Sequence, residues 1–301
     1  MQGIFQRSDK NFDKLKETIH TNMEHSLGPL KDFSFKLYSV VPQLRPFIKR
    51  IWSFEYFGKS ETSTLPTIAP NGEVKIIYSL RKNMRSIIAG VTHDHVESRG
   101  QVVGLHTVAG RMDWDSNYGS LGIDFFPQTA CRFFRFPLSE ITGRIVDLQE
   151  IMGKTWSRIA DKLESTLSVD AKVDCIQQFL IDILSNENLS SLSASDYAVL
   201  KIIECSGMNT INSLSEITSY SRRHLDRIFL QNVGLAPKAF ANVIKFDRLF
   251  KGFTEKELEN AIFLDFYYDQ PHFSKTFKSM IGLTPREYLR SKNLAHDIFY
   301  Q

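Results

Sequence analysis

The sequence predicts an α+β protein: a β-rich, barrel-like N-terminal domain with trailing helices, then an all-α C-terminal domain with two helix-turn-helix units. Two observations support this fold class. Between Phe33 and Phe126, apolar and polar residues alternate in several short runs, as they do in half-buried strands. After Ser195 apolar residues recur at spacings of three and four, and one stretch of this region is repeated 48 residues further on.

Length and composition indicate a soluble globular protein. The 301 residues suffice for two ordinary domains, and 42% hydrophobic and 24% charged residues are ordinary values. The net charge of +3 is too small for nucleic-acid binding over the whole surface, so any basic surface must be local. No apolar run is long enough to span a membrane and the N-terminus lacks a signal-peptide core, so we expect a cytoplasmic protein without membrane contact.

The first part of the chain divides into a leader and a β-rich sensor or dimerisation domain. Residues 1–32 are polar, with an amphipathic stretch that fits either a docked helix or a frayed end. Residues 33–185 are expected to form this second domain, which we call the sensor domain although dimerisation is an equally open role, and Pro70-Asn71-Gly72 is a turn within it. Short strands at this spacing predict an antiparallel barrel or sandwich. The expected strands are FSFKLYSV from Phe33, IKRIWSFEYF from Ile48, EVKIIYSL from Glu73, SIIAGV from Ser86, QVVGLHTV from Gln101 and LGIDFF from Leu121.

Helical patterns follow the last strand. QTACRFFRF is expected to be a short buried helix, a second begins near Pro137, and IVDLQEIMG is a third that ends at Gly153. TWSRIADKLEST and AKVDCIQQFLIDIL are both amphipathic. Residues 186–195 have few large apolar side chains and are predicted to be the interdomain linker.

The C-terminal domain, residues 196–301, is expected to be entirely helical. Pro237 and Pro285 each fit the first position of a helix, where proline loses no hydrogen bond. The expected helices are DYAVLKIIECSG, SLSEITSYS, SRRHLDRIFLQN, a long helix from Pro237, ELENAIFLDF, PHFSKTFKSM and PREYLRSK.

The repeat is the most informative feature of the chain. Ser221–Phe240 aligns with Asp269–Tyr288. In this alignment apolar residues match apolar residues, cationic residues mostly match cationic residues, and a Gly-Leu-x-Pro corner recurs. In a helix-turn-helix the second helix lies in the major groove and offers donors to phosphates and base edges. The candidate DNA-binding residues are Ser221, Arg222, Arg223, His224, Asp226, Arg227, Gln231, Lys238, Gln270, His272, Ser274, Lys275 and Lys278.

Other residues of the two copies are assigned to the core. Leu225, Ile228 and Phe229 form an inward stripe in the first copy, and Phe273 and Phe277 do so in the second. The two histidines at candidate positions fit a packing role as well as a DNA contact.

Charge segregation favours a DNA-binding function. Residues 221–251 hold seven cations and two anions, 252–269 hold one cation and five anions, and 270–292 hold five cations and one anion. Each basic island is centred on one copy, which is the local arrangement that phosphate binding needs. A helical bundle with solvated charged faces is the alternative. Because the stretch occurs in two copies with a shared Gly-Leu-x-Pro corner, the sequence favours DNA binding over this alternative.

These residues resemble the AraC/XylS family of transcription regulators. The resemblance covers about residues 195–291 and is carried by SRRHLDRIF, GLAPKAF, YDQPHFSKTFK and GLTPREYL. YSVVPQLRPFIKRIWSFEY, LPTIAPNGEVKIIY and GIDFFPQTACRFFRFPLSEI are similar, more weakly, to a β-barrel sensor domain of some members. The family implies double-stranded DNA and RNA polymerase as partners and no catalysis. It leaves a small-molecule or protein effector and a homodimer open.

The chain departs from the family pattern in both units. Ser215 stands where alanine is usual and Ser219 where the turn glycine is usual. In the second unit the corresponding residues are Ile262 and Phe266, which makes that turn unusual. We therefore expect the first unit to define the DNA sequence and the second to contribute affinity. A protein-binding regulator that has lost DNA binding is one alternative, and a DNA reader fused to an enzyme is another.

No enzymatic or cofactor site is predicted. GxSxG, GxxxxGK[ST] and GxGxxG are absent, and the three cysteines are too dispersed for a disulfide framework or a CxxC site. Cys131 lies in an aromatic run without a nearby base, so it is expected to be buried rather than nucleophilic. His93-Asp94-His95 with His106 is a weak metal candidate, and a solvated loop explains it better.

An effector pocket cannot be assigned from the sequence. The aromatic residues of the sensor domain are expected mostly to fill its barrel, and lining a pocket is the less favoured alternative. These residues are Trp52, Phe54, Tyr56, Phe57 and Trp114.

Overall fold

The chain forms two antiparallel sheets followed by nine α-helices in the part that the computed structural model describes. The described residues are 33–57, 66–81, 84–114, 117–185, 193–254, 256, 258 and 261–291. The predicted leader 1–32, most of the predicted linker and the last ten residues of the C-terminal domain lie outside these ranges.

The larger sheet has six strands in the order β1-β2-β9-β4-β7-β10. Their bounds are β1 Phe33–Tyr38, β2 Ile48–Tyr56, β4 Lys75–Ser79, β7 Gly100–Val103, β9 Tyr118–Phe125 and β10 Ile145–Asp147. All eight residues of β9 are buried, because this strand lies between β2 and β4 and carries core on both of its faces. Leu121, Ile123 and Phe125 enter the main core, whereas Tyr118 packs with Trp52 and Phe54 on the other face.

The smaller sheet has four strands in the order β3-β8-β5-β6. Their bounds are β3 Thr67–Ile68, β5 Met84–Ile88, β6 Val91–His95 and β8 Gly110–Trp114. Within the described ranges neither sheet pairs its first strand with its last, so the domain is not a closed barrel. The sequence predicts an antiparallel barrel or sandwich. The described strands form two separate hydrogen-bonded sheets and no barrel.

Several predicted strands have different limits. SIIAGV is not one strand: β5 and β6 form a hairpin around Ala89 and Gly90, both with positive φ, as two-residue hairpin turns require. QVVGLHTV ends as a strand at Val103. The start of IVDLQEIMG pairs with β7 as β10, so only its second half is helical. A three-residue segment is too short to show a strand periodicity, so β10 becomes a strand because it pairs with β7.

The helices of the sensor domain agree with the amphipathic patterns. They are α1 Leu148–Met152, α2 Lys154–Ser165 and α3 Val169–Ser185. The stretches before them, predicted to be helical, contain only the short 3-10 turns Ala130–Arg132 and Leu138–Glu140.

Six helices make up the described part of the C-terminal region. They are α4 Ala194–Glu204, α5 Ile211–Thr218, α6 Arg222–Asn232, α7 Pro237–Phe250, α8 Gln270–Ile281 and α9 Pro285–Arg290. Helix α4 begins with a capping box between Ser193 and Asp196, so the end of the predicted linker is the start of this helix. In these ranges, no helix has the length and apolar character needed to cross a membrane.

One hydrophobic core joins the sensor domain to the first helix-turn-helix unit. It runs from Ile123 and Phe133 through Phe179 to Leu225 and Phe229. A second cluster surrounds the other unit, with Phe250, Phe273, Phe277 and Tyr288 at its centre and Ala69 of the sensor domain at its edge. The sensor domain therefore contributes apolar contacts to both units.

A buried group of charges lies beside α7. Glu73 is paired with Lys49 and Lys75, the latter at 3.1 Å, and Arg50 lies 3.8 Å away. Burial alone would raise the pKa of Glu73, but Lys49, Lys75, Arg50 and Lys251 together hold it well below its usual range. Lys251 comes directly after α7, so this group links the charges of the two regions.

Candidate nucleic-acid interface

The first helix-turn-helix unit consists of α5, a tight turn and α6. Ser221 caps α6 by accepting a hydrogen bond from the backbone N–H of His224 at 3.3 Å. Ser219 has φ 57°, which is the left-handed conformation that a glycine would adopt more easily. Ser215, the other departure from the family pattern, donates its hydroxyl to the carbonyl of Tyr220. Its hydroxyl thus fixes the turn that leads into α6.

The first element of the second unit lies only partly within the described residues. Of the predicted helix ELENAIFLDF, Leu258 is helical and Ile262–Asp265 form a 3-10 turn. Phe266 has φ −116°, so the turn does not place this bulky residue in a strained conformation. The left-handed residue is Ala261, with φ 54°. Asp269 caps α8 by accepting from the N–H of His272 at 2.7 Å, at the repeat position of Ser221.

The repeated corner has the same conformation in both copies. Gly234 has φ 95° and Gly282 has φ 87°, and each is followed by a helix with proline in its first turn. The packing is repeated as well. Phe229 faces Phe240 with ring centroids 6.4 Å apart, and the residues 48 positions later, Phe277 and Tyr288, lie 5.7 Å apart.

Helix α6 exposes most of its predicted DNA-binding residues. Ser221, Arg222, Arg223, Asp226, Arg227 and Gln231 are exposed, whereas Leu225 and Phe229 are buried and Ile228 is half-buried. His224 is half-buried, contacts the Tyr220 ring edge-on at 4.4 Å and pairs through Nδ1 with Arg227 at 3.2 Å. Arg222 donates to Asn212 at the start of α5. The sequence gives no signal for this contact, because ten residues separate the two positions.

Helix α8 exposes a smaller cationic face. Gln270, His272, Lys275 and Lys278 are exposed, Ser274 is half-buried, and Phe273 and Phe277 are buried. The exposed His272 also lies edge-on to Tyr267 at 5.5 Å. Lys238 is exposed on α7. It therefore lies on neither α6 nor α8, the second helices of the two units, which we call the reading helices.

The C-terminal ends of both reading helices are tied to the sensor domain. Thr142 donates its hydroxyl to the carbonyl of Gly234 at 2.7 Å, just after α6. Ala109 donates its backbone N–H to the carbonyl of Met280 at 2.6 Å, in the last turn of α8. The exposed cations of α6 and Lys275 of α8 lie in the N-terminal halves, which in a helix-turn-helix contact the bases, whereas Lys278 lies in the C-terminal half of α8.

The histidines considered for a metal site are separate from this surface. His95 is fully buried on β6, where Nε2 pairs with the Ser86 hydroxyl at 2.6 Å, and desolvation lowers its pKa to about 4. Burial also lowers the pKa of His106 to about 4, and neither of its ring nitrogens has a hydrogen-bond partner among the described residues. No group of three or more potential ligands is placed to hold a metal ion in these ranges.

Cys131 and most of the aromatic residues considered for a pocket lie in packed surroundings. Burial raises the pKa of the Cys131 thiol to about 11, which disfavours the nucleophilic thiolate. Trp52, Phe54 and Tyr56 are buried in a small cluster, whereas Phe57 is exposed. The side chain of Trp114 lies outside the described residues.

Comparison with known proteins identifies two regions of the chain. Residues 214–291 match the family described as a helix-turn-helix domain, and residues 38–147 match a domain of unknown function, DUF6597. A search of the curated proteins finds no match.

Solved structures give distant likenesses. ToxT from Vibrio cholerae O395 is 15% identical over 87% of this chain and 98% of that chain, with a TM-score of 0.43. The same protein bound to (E)-4-(8-methylnaphthalen-1-yl)but-3-enoic acid is 14% identical over 87% and 99%, with a TM-score of 0.44. The cupin domain of an XRE family transcriptional regulator from Enterobacter cloacae is 10% identical over 32% and 99%, with a TM-score of 0.26. Similarity at this level does not carry a functional argument.

The family match and the geometry agree for the C-terminal region. Two capped helices, each followed by the same glycine corner and proline-led helix, lie within the matched residues. Residues 214–291 are therefore a helix-turn-helix domain of the AraC type, a DNA-binding domain of transcription regulators.

Proposed function

We propose that the chain is a sequence-specific transcription regulator that reads two adjacent major-groove segments, one with α6 and one with α8. The observation that carries this proposal is the repeated exposure of polar and cationic side chains on the N-terminal halves of two capped helices. Arginine and glutamine have the fork geometries that suit guanine and adenine edges. Successive major-groove faces on one side of DNA are ~34 Å apart.

The candidate residues have different roles in this proposal. Arg223 and Arg227 read base edges from α6, while Lys275 and Lys278 contact phosphates from α8. Ser221 and Asp269 position the helices as caps, and His224 is held by Tyr220 and Arg227 as part of the α6 surface. The remaining exposed residues of the predicted set contact the DNA backbone or neighbouring bases.

The partners follow from this role. RNA polymerase is the protein partner of the DNA-bound regulator, and the sensor domain modulates it in response to a small molecule or a protein. A homodimer would place two pairs of reading helices on one operator. The support for modulation is the contact of the sensor domain with the C-terminal ends of both reading helices.

The test is selection of bound genomic fragments by the purified full chain, followed by footprinting. Protection of two adjacent major-groove segments on one DNA face is the expected result, with binding that weakens steeply as salt rises. Arg223→Ala with Arg227→Ala should abolish the footprint. Lys154→Ala, an exposed cation on α2 outside both reading helices, is the matched control and should leave it unchanged. Retention of no fragment at moderate salt would favour the protein-binding alternative.

A further inference from the structure

A groove lies on the sensor domain, outside the sheets and away from the reading helices. It has a volume of about 430 Å³ and is bounded by the segment 133–136 and by helices α1, α2 and α3. This volume falls within the range of small-molecule sites. Its apolar wall consists of Phe134, Phe136, Ile151, Met152, Phe179 and Ile183.

The mouth of the groove is cationic. Arg158 and Lys162 lie one turn apart on α2, both are exposed, and both line the groove. Neither makes an ion pair with another described residue. Like charges at this spacing repel each other on a helix surface, so a bound anion would relieve the repulsion. Arg135 and Asp182 also line the groove, which leaves three cations against one carboxylate.

We propose that this groove binds a small apolar organic anion and is the effector site of the regulator, an inference that rests on the proposed function. The hydrocarbon or aromatic body lies against the wall formed by Phe134, Met152 and Phe179. The carboxylate lies between Arg158 and Lys162. An inorganic anion would leave the apolar wall uncovered, and a neutral hydrocarbon would leave the two cations without a partner.

The groove is connected to the first reading helix by one short segment. Phe133 and Phe134 both line the groove. Leu138, five residues after Phe133, and Ile141 belong to the core that contains Leu225. Thr142 follows, and its hydroxyl binds the Gly234 carbonyl. A ligand that binds one position of this segment more tightly than another therefore biases the placement of α6.

The first experiment measures binding to the full chain by calorimetry with decanoate, below its micellar concentration, and with decanol. Decanoate should bind at least tenfold more tightly than decanol, because two charge contacts add to the same apolar burial. Arg158→Ala with Lys162→Ala should weaken decanoate binding roughly tenfold and leave decanol binding unchanged. Lys154→Ala, on the same helix but outside the groove, is the matched control. Equal affinities for decanoate and decanol, or an unchanged double variant, would overturn the proposal.

A second variant tests the apolar wall. Ile183 is half-buried on α3, and Ile183→Trp should fill the groove and weaken binding of both ligands. Sedimentation of the same variant identifies the competing occupant. If Ile183→Trp converts a dimer into a monomer and decanoate does not bind the wild type, the groove is a contact between copies of the chain and the proposal is wrong.

The last measurement separates the effector site from DNA binding. Decanoate should change the affinity of the wild type for its selected DNA by at least about fivefold, and this change should disappear in the Arg158 and Lys162 double variant. Without decanoate the double variant should bind DNA as the wild type does. DNA binding that decanoate leaves unchanged overturns the effector role alone, whereas absence of DNA binding overturns the proposed function.

Discussion

At the residue scale, the two corner glycines differ in what surrounds them. A Cβ on Gly234 would lie 2.6 Å from Thr142 Oγ1 and 3.0 Å from the Leu138 carbonyl oxygen. A Cβ on Gly282 would meet only a guanidinium nitrogen of Arg111 at 3.5 Å. Both residues have positive φ, so either substitution strains the backbone, but only Gly234 is also confined by the sensor domain.

We expect Gly282→Ala to lower the free energy of unfolding by about 1 kcal/mol and Gly234→Ala by about 3 kcal/mol or more, since overpacking adds to strain. Urea unfolding of the two variants provides the comparison. Adding Thr142→Ala to Gly234→Ala should recover part of the loss, because it removes the nearest atom. Equal losses from the two glycine variants would show that the sensor domain does not confine this corner.

His106 is half-buried with both ring nitrogens buried, and it makes stability depend on pH. Its folded pKa of about 4 lies below the ordinary value of 6.5, so the unfolded chain binds the proton more tightly. The contribution of neutral His106 to the free energy of unfolding is fully present above pH 6.5 and is lost as pH falls toward 4. At pH 5.5 the loss from this group alone should be about 1.4 kcal/mol.

His106→Leu should therefore reduce the stability difference between pH 7.5 and pH 5.5, as measured by urea unfolding at the two values. The substitution removes two buried nitrogens without a described partner, so little stability should be lost at pH 7.5. A variant that loses as much stability as the wild type on acidification would contradict this explanation.

At the element scale, long helices and strands follow the periodicity of their own residues more closely than short ones do. The long amphipathic patterns of α2, α3, α6 and α8, the alternating pattern of β1 and the aromatic-rich strand β2 are confirmed, because many residues contribute to each of these patterns. The hairpin at Ala89 and the three-residue strand β10 were missed, because short elements depend on their neighbours. Phe266 is expected from the sequence to disturb the second turn, but its φ is negative and unstrained. The left-handed residue of this segment is Ala261.

The two reading helices should contribute unequally to specificity. Arg223 and Arg227 on α6 have fork geometries that read base edges, whereas Lys275 and Lys278 on α8 act as point charges. Arg223→Ala with Arg227→Ala should cost at least about 1–3 kcal/mol of discrimination between the selected site and mismatched sites. Lys275→Ala with Lys278→Ala should weaken binding uniformly and lower the salt slope by about 2. Competition binding at several salt concentrations measures both quantities, and equal loss of preference from the two pairs would refute the inequality.

At the scale of the whole molecule, buried charges and a shared core connect the sensor domain to the helix-turn-helix region. Glu73 lies among Lys49, Arg50 and Lys75, and Lys251 at the end of α7 adds to their field. Since the folded pKa of Glu73 is lowered, its contribution to stability is present above about pH 4.5 and is lost as pH falls through the folded pKa.

Glu73→Gln should lower the free energy of unfolding by about 3 kcal/mol, because half-buried Lys49 loses its carboxylate while Arg50 and Lys75 keep Asp124. The matched control is Asp170→Asn, which breaks the exposed ion pair with Lys36 and should cost less than about 1 kcal/mol. Urea unfolding at pH 7.5 measures both. Similar small losses from the two variants would mean that the charges beside α7 are solvated and do not hold the regions together.

The sequence by itself determined the repeat, the glycine-proline corners and the inward stripes of both reading helices. These features are local, so the spacing of residues along one helix or turn is enough to specify them. Only the tertiary structure decided that Thr142 and Ala109 bind the C-terminal ends of the two reading helices, that the ring nitrogens of His106 are buried, and that Arg158 and Lys162 face an apolar groove. Each of these depends on contacts between residues far apart in the chain, which periodicity and spacing do not encode.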